Sequence, residues 1–268
     1  MLPIFGGTVG VMTSASLRTP SLLSCLGSGH LRASDARAPS WWIVSEFKEA
    51  KTLANLMVKI GKNAGRCMMA MITDMDEPLG NAVGNAIEVM EAHEVLNGKK
   101  GRLYELCIHL AAGMLVLSKI EEDFDRALEM AVKSIDSREA LKKFYEILKF
   151  QGVNFPEKVI SKLTPSKHSF EVLSEESGYV KNIDARKIGR LASLAGAGRI
   201  KKDDRIDYGA GIIMYCKVGD YIRKGDKLFT VYFESDKKVR ANDIDDDIIL
   251  FGGKPTSGSE LIKEIIMC

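Results

Sequence analysis

Residues 67–73 read Cys67-Met68-Met69-Ala70-Met71-Ile72-Thr73, and the fold class turns on how this run is taken. It is apolar almost throughout, lacks the alternation of a half-exposed strand, and is too short for a helix of its own. It therefore reads as a buried strand. Upstream, Ser45 can cap a helix in which Phe47, Ala50, Leu53, Ala54, Met57, Val58 and Ile60 recur on one face, closed by Gly61 or Gly65. Downstream, Asp74-Met75-Asp76-Glu77-Pro78-Leu79-Gly80 is a loop. Gly84 to Leu96 is then helical, with Ala86, Val89, Met90 and Val95 turned inward and Gly98 beyond its end. Three more helices follow, Arg102 to Ile120, Asp123 to Ile135 and Ser137 to Phe150. Helix, strand, helix and helical stack over residues 45–151 read as the closing part of an α/β domain.

Gly152 to Ser166 holds Pro156 and Pro165 and is the best internal boundary. Beyond it the period turns strand-like. Ser169 to Ser174, Gly178 to Ile183, Gly211 to Tyr215 and Lys227 to Phe233 are strand candidates. Ala185 to Leu194 reads as a helix stopped at Gly196-Ala197-Gly198. In Val218-Gly219-Asp220-Tyr221-Ile222-Arg223-Lys224-Gly225-Asp226, two Gly-Asp pairs supply tight turns around a short strand. Ile248-Ile249-Leu250 and a helix from Ser257 to Ile266 close the chain. Residues 166–268 thus read as a small β-rich α+β module.

The 268 residues are 46% hydrophobic and 28% charged, which excludes wholesale disorder. Lys and Arg total 38 against 36 for Asp and Glu, a near-balance that argues against a nucleic-acid binder held by a basic face. No apolar run approaches the length of a membrane span. The five cysteines are scattered with no C-x-x-C pair, which argues against a disulfide scaffold or structural zinc and makes a reducing cytoplasm the default. Residues 1–44 differ from the rest: up to Trp42 the only acid is Asp35, and no apolar period persists. Such a leader is expected to be structureless, being either a transit peptide or a wrongly joined segment.

Ile60-Gly61-Lys62-Asn63-Ala64-Gly65-Arg66 and the run from Ile72 to Val89 resemble the thymidine/pyrimidine-nucleoside phosphorylase family. So do Glu105-Leu106-Cys107 with His109-Leu110-Ala111, Gly178-Tyr179-Val180, Ile188-Gly189, Gly196-Ala197-Gly198-Arg199, Lys202-Asp203-Asp204, Ile206-Asp207, Gly211-Ile212 and the Val218 to Leu228 segment. The likeness covers about residues 47–268. It implies a fold made of the C-terminal part of a mixed α/β phosphorylase domain followed by a small β-rich α+β module. In that fold the Cys67 to Thr73 strand would lie parallel to neighbours supplied by the family's front half. The implied activity is pentosyl transfer: a pyrimidine nucleoside and phosphate give free base and pentose 1-phosphate.

The resemblance also implies what is absent. The family's Lys-x-Ser-x-Gly-Gly phosphate loop and its Arg, Ser and Lys base contacts lie upstream of where the match begins, and residues 1–45 carry neither. No catalytic or substrate-binding residue is therefore assigned, and the chain is expected to be an inactive fragment. The family's homodimer forms through a small helical domain that this chain lacks. The mid-domain loss of match favours a shifted reading frame or faulty gene assembly as the origin of residues 1–44. One cofactor transfers in part: a potassium ion held by the carbonyls of Leu79 and Ala82 and the carboxylate of Glu91. Oxygen-only ligands suit such a hard cation. Without the resemblance, Glu91 reads as a solvated helix carboxylate.

Other candidates read as structure. His93, His109 and His168 have no carboxylate or metal-ligand neighbour at useful spacing. Cys67, Met68, Met69 and Met71 read as core filler and not as a soft-metal box. Gly196-Ala197-Gly198-Arg199 reads as a helix stop before an anion nest. Asp243, Asp245, Asp246 and Asp247 lack the glycine and distal glutamate of a calcium loop. The function alternative is a non-catalytic, hammerhead-like binding or carrier module, but Lys217, Lys224 and Lys227 have no neighbouring Met of the kind that marks a modifiable lysine.

Overall fold

The computed structural model describes residues 9–13, 47–199, 202–234, 239–255 and 257–267. Its elements are β1 (Val9–Thr13), α1 (Phe47–Asn63), β2 (Met68–Thr73), β3 (Ala82–Gly84), α2 (Asn85–Leu96), α3 (Arg102–Leu117), α4 (Phe124–Asp136), α5 (Glu139–Phe150) and α6 (Pro156–Ile160). They continue with β4 (His168–Leu173), β5 (Gly178–Ile183), α7 (Ala185–Ala195), β6 (Gly211–Met214), β7 (Tyr221–Ile222), β8 (Lys227–Phe233), β9 (Ile249–Gly252) and β10 (Ile262–Met267). The chain divides into two compact units. One contains Asp76–Leu103 and Ile135–Ser259; the other contains Tyr104–Ser134 and the described parts of Gly6–Met75 and Glu260–Cys268. The mixed helix and sheet content is that of an α/β fold with a small β-rich C-terminal portion.

The second unit is built on β2. Met69, Ala70 and Met71 are wholly buried, as a continuous apolar run requires. α1 lays its small face, Ala50, Ala54 and Val58, against Met68, Ala70 and Ile72. The sheet differs from expectation. β2 is central, and both neighbours, β1 and β10, run antiparallel to it. β10 stands where a closing helix is expected. Its three isoleucines, Ile262, Ile265 and Ile266, fit a helical stripe as well as a strand, and a run this short does not separate the two periods. The unpaired edge of buried β2, which must place its backbone groups, decides for the strand, which β-branched side chains favour. The expected structureless leader lies mostly outside the described residues. Its described part, Val9–Thr13, pairs with β2 along the register Val9↔Ile72 to Thr13↔Met68. The Ser45 cap also lies outside the described residues. Cys107 and Cys216 are free thiols, whereas Cys67 is in a disulfide that the scattered cysteines do not announce.

The first unit carries two sheets, β3-β6-β8-β4 and β7-β5-β9, whose pairings are all antiparallel. Their common core includes Val180, Ile183, Ile188, Leu191, Ile212, Phe229 and Val231. α7 enters this core because Ile188, Leu191, Ala192 and Ala195 share one face. Asp184 caps its first turn by accepting from the amides of Arg186 (2.9 Å) and Lys187 (3.1 Å). Gly196, at φ 112°, ends it where the sequence places a stop. The two Gly-Asp turns share one geometry. The Asp220 carboxylate accepts from the Lys217 amide and the Asp226 carboxylate from the Arg223 amide, each at 2.8 Å, with Gly219 and Gly225 at positive φ. α2 packs against α5 and α6. His93 serves this helical contact by bonding the Tyr145 hydroxyl at 2.7 Å.

Candidate functional site

The loop before β3, the strand itself and α2 bring two of the predicted ligands, Ala82 and Glu91, to one place. Glu91, on the second turn of α2, reaches back over the loop. Its Oε1 accepts from the Asn81 amide (2.7 Å) and its Oε2 from the Ala82 amide (3.1 Å). These are charge-assisted bonds, stronger than neutral ones. Glu91 is therefore a clamp on the loop and not a solvated carboxylate. Gly80 leaves the room it needs: a Cβ there would stand 2.1 Å from Glu91 Oε2. One turn earlier, Glu88 accepts from the Gly84 amide at 2.9 Å. Burial raises the Glu88 carboxyl above its ordinary value, with the Gly84 N–H pulling the other way.

Sheet register decides where the Ala82 carbonyl points. The Met214 amide donates to the Asn81 carbonyl at 2.7 Å, so the ladder bonds to β6 fall at residue 81 and, two residues on, at Val83. Ala82, opposite Ile213, is then a non-hydrogen-bonded pair, so its amide and carbonyl turn away from β6. β3 is the edge of its sheet. That outward edge is the side on which Glu91 already holds the Ala82 amide.

Two residues that spacing does not announce complete the loop. Lys217, on the turn after β6, donates from Nζ to the carbonyls of Pro78 (2.6 Å) and Gly80 (2.8 Å). Burial pushes its pKa down, while the Glu77 and Glu91 carboxylates pull it back. Glu77 is buried; its Oε2 accepts from the Val218 amide at 3.0 Å and its Oε1 lies 3.4 Å from Arg102 Nε. The Arg102 guanidinium also donates to the Ser259 carbonyl at 3.2 Å. Glu77 and Lys217 are about 140 residues apart in sequence and no local motif links them. The Gly-Asp turn that fixes Lys217 is the one signal that could have pointed to it.

The remaining candidates fall elsewhere. Met68, Met69 and Met71 are strand core. Lys187 pairs with Asp247, and Lys227 pairs with Glu171 and lies over the Tyr215 ring. The Ala197 carbonyl of the glycine stop accepts from Asn85 Nδ2 at 2.8 Å. Among the described residues, no group of three or more His, Cys, Asp or Glu is placed to hold a metal, so carbonyl oxygens have to supply most of any cation site here. No helix among them is long and apolar enough to cross a membrane.

Cys216 lies beside this loop and is buried; its thiol is pushed up to about 12, first by burial and then by Asp220. At pH 8 the thiolate is then on the order of 10⁻⁴ of the thiol. Iodoacetamide should leave Cys216 unmodified in the native chain and label it fully in urea, read by peptide mass mapping. Native labelling as fast as that of Cys107 would refute the assignment. The sign for stability follows: as pH rises from the ordinary value of 9.0 toward about 12, only the unfolded chain ionises, so alkali withdraws stability over that window.

Residues 179–246 match the pyrimidine nucleoside phosphorylase C-terminal domain family. The pyrimidine-nucleoside phosphorylase of Staphylococcus epidermidis (strain ATCC 12228 / FDA PCI 1200) is 38% identical over 204 residues, covering 74% of this chain and 46% of the relative. That of Staphylococcus aureus (strain bovine RF122 / ET3-1) is 36% identical over the same coverage. The chain spans about half the length of these curated relatives. The C-terminal portion of the chain is thus similar to pyrimidine-nucleoside phosphorylases, and residues 179–246 match the C-terminal domain of that family.

Proposed function

We propose that this chain provides the cation-holding loop and the C-terminal module of a pyrimidine-nucleoside phosphorylase. The reaction in view is attack of a phosphate oxygen on the anomeric carbon of a pyrimidine nucleoside. The glycosidic C–N bond breaks, its electron pair leaves with the base, and pentose 1-phosphate forms. Groups for phosphate and base are expected on the half of the fold upstream of the match, so the 268-residue chain by itself is read as non-catalytic. A cytoplasmic setting belongs to the same reading; the homodimer is the family's, formed through a helical domain outside the residues that match.

The observation that carries it is the Glu91 clamp. The donor set fits a potassium ion: the Gly80 cradle admits the carboxylate, the Ala82 carbonyl faces the same open edge, and the adjoining carbonyls of Pro78 and Gly80 already hold a cationic group. Leu79, Ala82 and Glu91 would hold the ion, which when bound supplies fixed positive charge. Glu91 also orients the loop by gripping the Asn81 and Ala82 amides, and the register of β3 on β6 turns the Ala82 carbonyl outward.

Thermal unfolding tests this. Potassium chloride, against choline chloride at equal ionic strength, should raise the midpoint by roughly 2–4 °C for each kcal/mol of linked binding. In Glu91→Gln that potassium increment should vanish, whatever the variant's own midpoint. A wild-type chain with no potassium increment, or an increment that survives Glu91→Gln, refutes the site.

A further inference from the structure

The Pro78–Gly80 segment aims two backbone carbonyls at one point, and the occupant of that point is part of the chain. Lys217 Nζ lies 2.6 Å from the Pro78 oxygen and 2.8 Å from the Gly80 oxygen. Carbonyl oxygens arranged in this way are the ligands that replace water around potassium or ammonium ions. The Glu77 and Glu91 carboxylates favour positive charge on Lys217, against its burial and the Arg102 guanidinium. The side chain is held at its root as well: the Lys217 amide donates to Asp220 Oδ2 at 2.8 Å, and the next amide, that of Val218, donates to Glu77 Oε2 at 3.0 Å. Backbone, neighbouring residue and ammonium are thus all fixed against the same loop. An ammonium has three N–H donors, and two of them go to these carbonyls.

We propose that Lys217 is a tethered cation: its ammonium fills a monovalent-cation subsite formed by the Pro78 and Gly80 carbonyls, and thereby fixes the loop whose next two amides Glu91 grips. This subsite is distinct from the Leu79, Ala82 and Glu91 set and does not depend on potassium binding there. Lys217 is a positioning residue. Without it, the two converging carbonyls would lose the donor they share, and the loop would open at Asn81 and Ala82 first.

Amide hydrogen exchange of the full chain in potassium-free choline chloride tests the proposal. Lys217→Met keeps the stem and removes the charge; exchange at Asn81 and Ala82 should quicken at least tenfold while Val231, in the β8 core, is unchanged. Lys217→Ala removes the stem too, and propylammonium, which restores the missing carbons and the ammonium, should return protection at Asn81 and Ala82 where equal choline does not. Propylammonium should leave the wild-type chain unaffected. Unchanged protection at Asn81 and Ala82 in Lys217→Met overturns the proposal. So does a loss in Lys217→Ala that propylammonium reverses no better than choline. Should Lys217→Ala not fold, the Lys217→Met comparison decides alone, since faster exchange spread equally to Val231 also overturns it.

Discussion

Gly211→Ala should be the most damaging single-methyl change in the described structure, at about 2–6 kcal/mol. Gly211 and Gly84 face each other across β3 and β6, at φ 152° and 155°. A Cβ on Gly211 would stand 2.4 Å from the Val83 carbonyl, 2.7 Å from Ile87 Cδ1 and 3.0 Å from Gly84 Cα. Two of those obstacles are backbone, so no side-chain rotamer relieves them. The backbone conformation alone costs about 1–3 kcal/mol in a residue bearing a Cβ, and overpacking adds about 1–3 kcal/mol. The sum is a large part of the roughly 5–15 kcal/mol that a typical domain commands. Gly98→Ala is the control, because Gly98 has φ 96° and open space around its missing Cβ; it should cost the conformational part only. Urea midpoints measure both. A Gly211→Ala chain no less stable than Gly98→Ala would show that β3 does not need this close approach. The consequence reaches the site, since the same approach fixes the register that turns the Ala82 carbonyl outward.

What the sequence discloses follows from how local each determinant is. α2, α5 and α7 lie close to where periodicity and turn chemistry place them, and β5 and β8 do so residue for residue, because caps, glycine stops and Gly-Asp turns act within a few residues. β2 is legible as buried, but its partners are not. Pairing direction is set by which other strand is at hand, and β10 carries no period that separates strand from helix. The Glu91 clamp is illegible through spacing, since it arises from Gly80 and the two amides it grips; the family likeness singles the residue out only as an expected cation ligand. Lys217 and Glu77 are the far case. Their roles come from contacts across about 140 residues, and only the folded chain brings the Gly-Asp turn onto the loop.

The purified 268-residue chain is expected to release no measurable thymine or uracil from thymidine or uridine in phosphate and potassium. The residues that resemble the family's include no phosphate loop and no base contacts; what they offer is the proposed partial cation site at Leu79, Ala82 and Glu91. Loss of one well-placed donor to developing charge costs a factor on the order of 10²–10³ in rate. Here nearly every contact to both reactants would be missing. With nothing to hold phosphate against the anomeric carbon, most of the roughly 7–11 kcal/mol available from orientation is lost as well. Neither the clamp nor the tethered lysine compensates, because both act on the loop and touch no reacting atom. Chromatography of the free base after long incubation is the measurement, with Glu91→Ala run beside the wild-type chain. Base release that Glu91→Ala abolishes would overturn the expectation and place a complete active site within these residues. Base release that Glu91→Ala leaves unchanged would come from a contaminating phosphorylase, because a site built on this loop cannot ignore the loss of the carboxylate that shapes it.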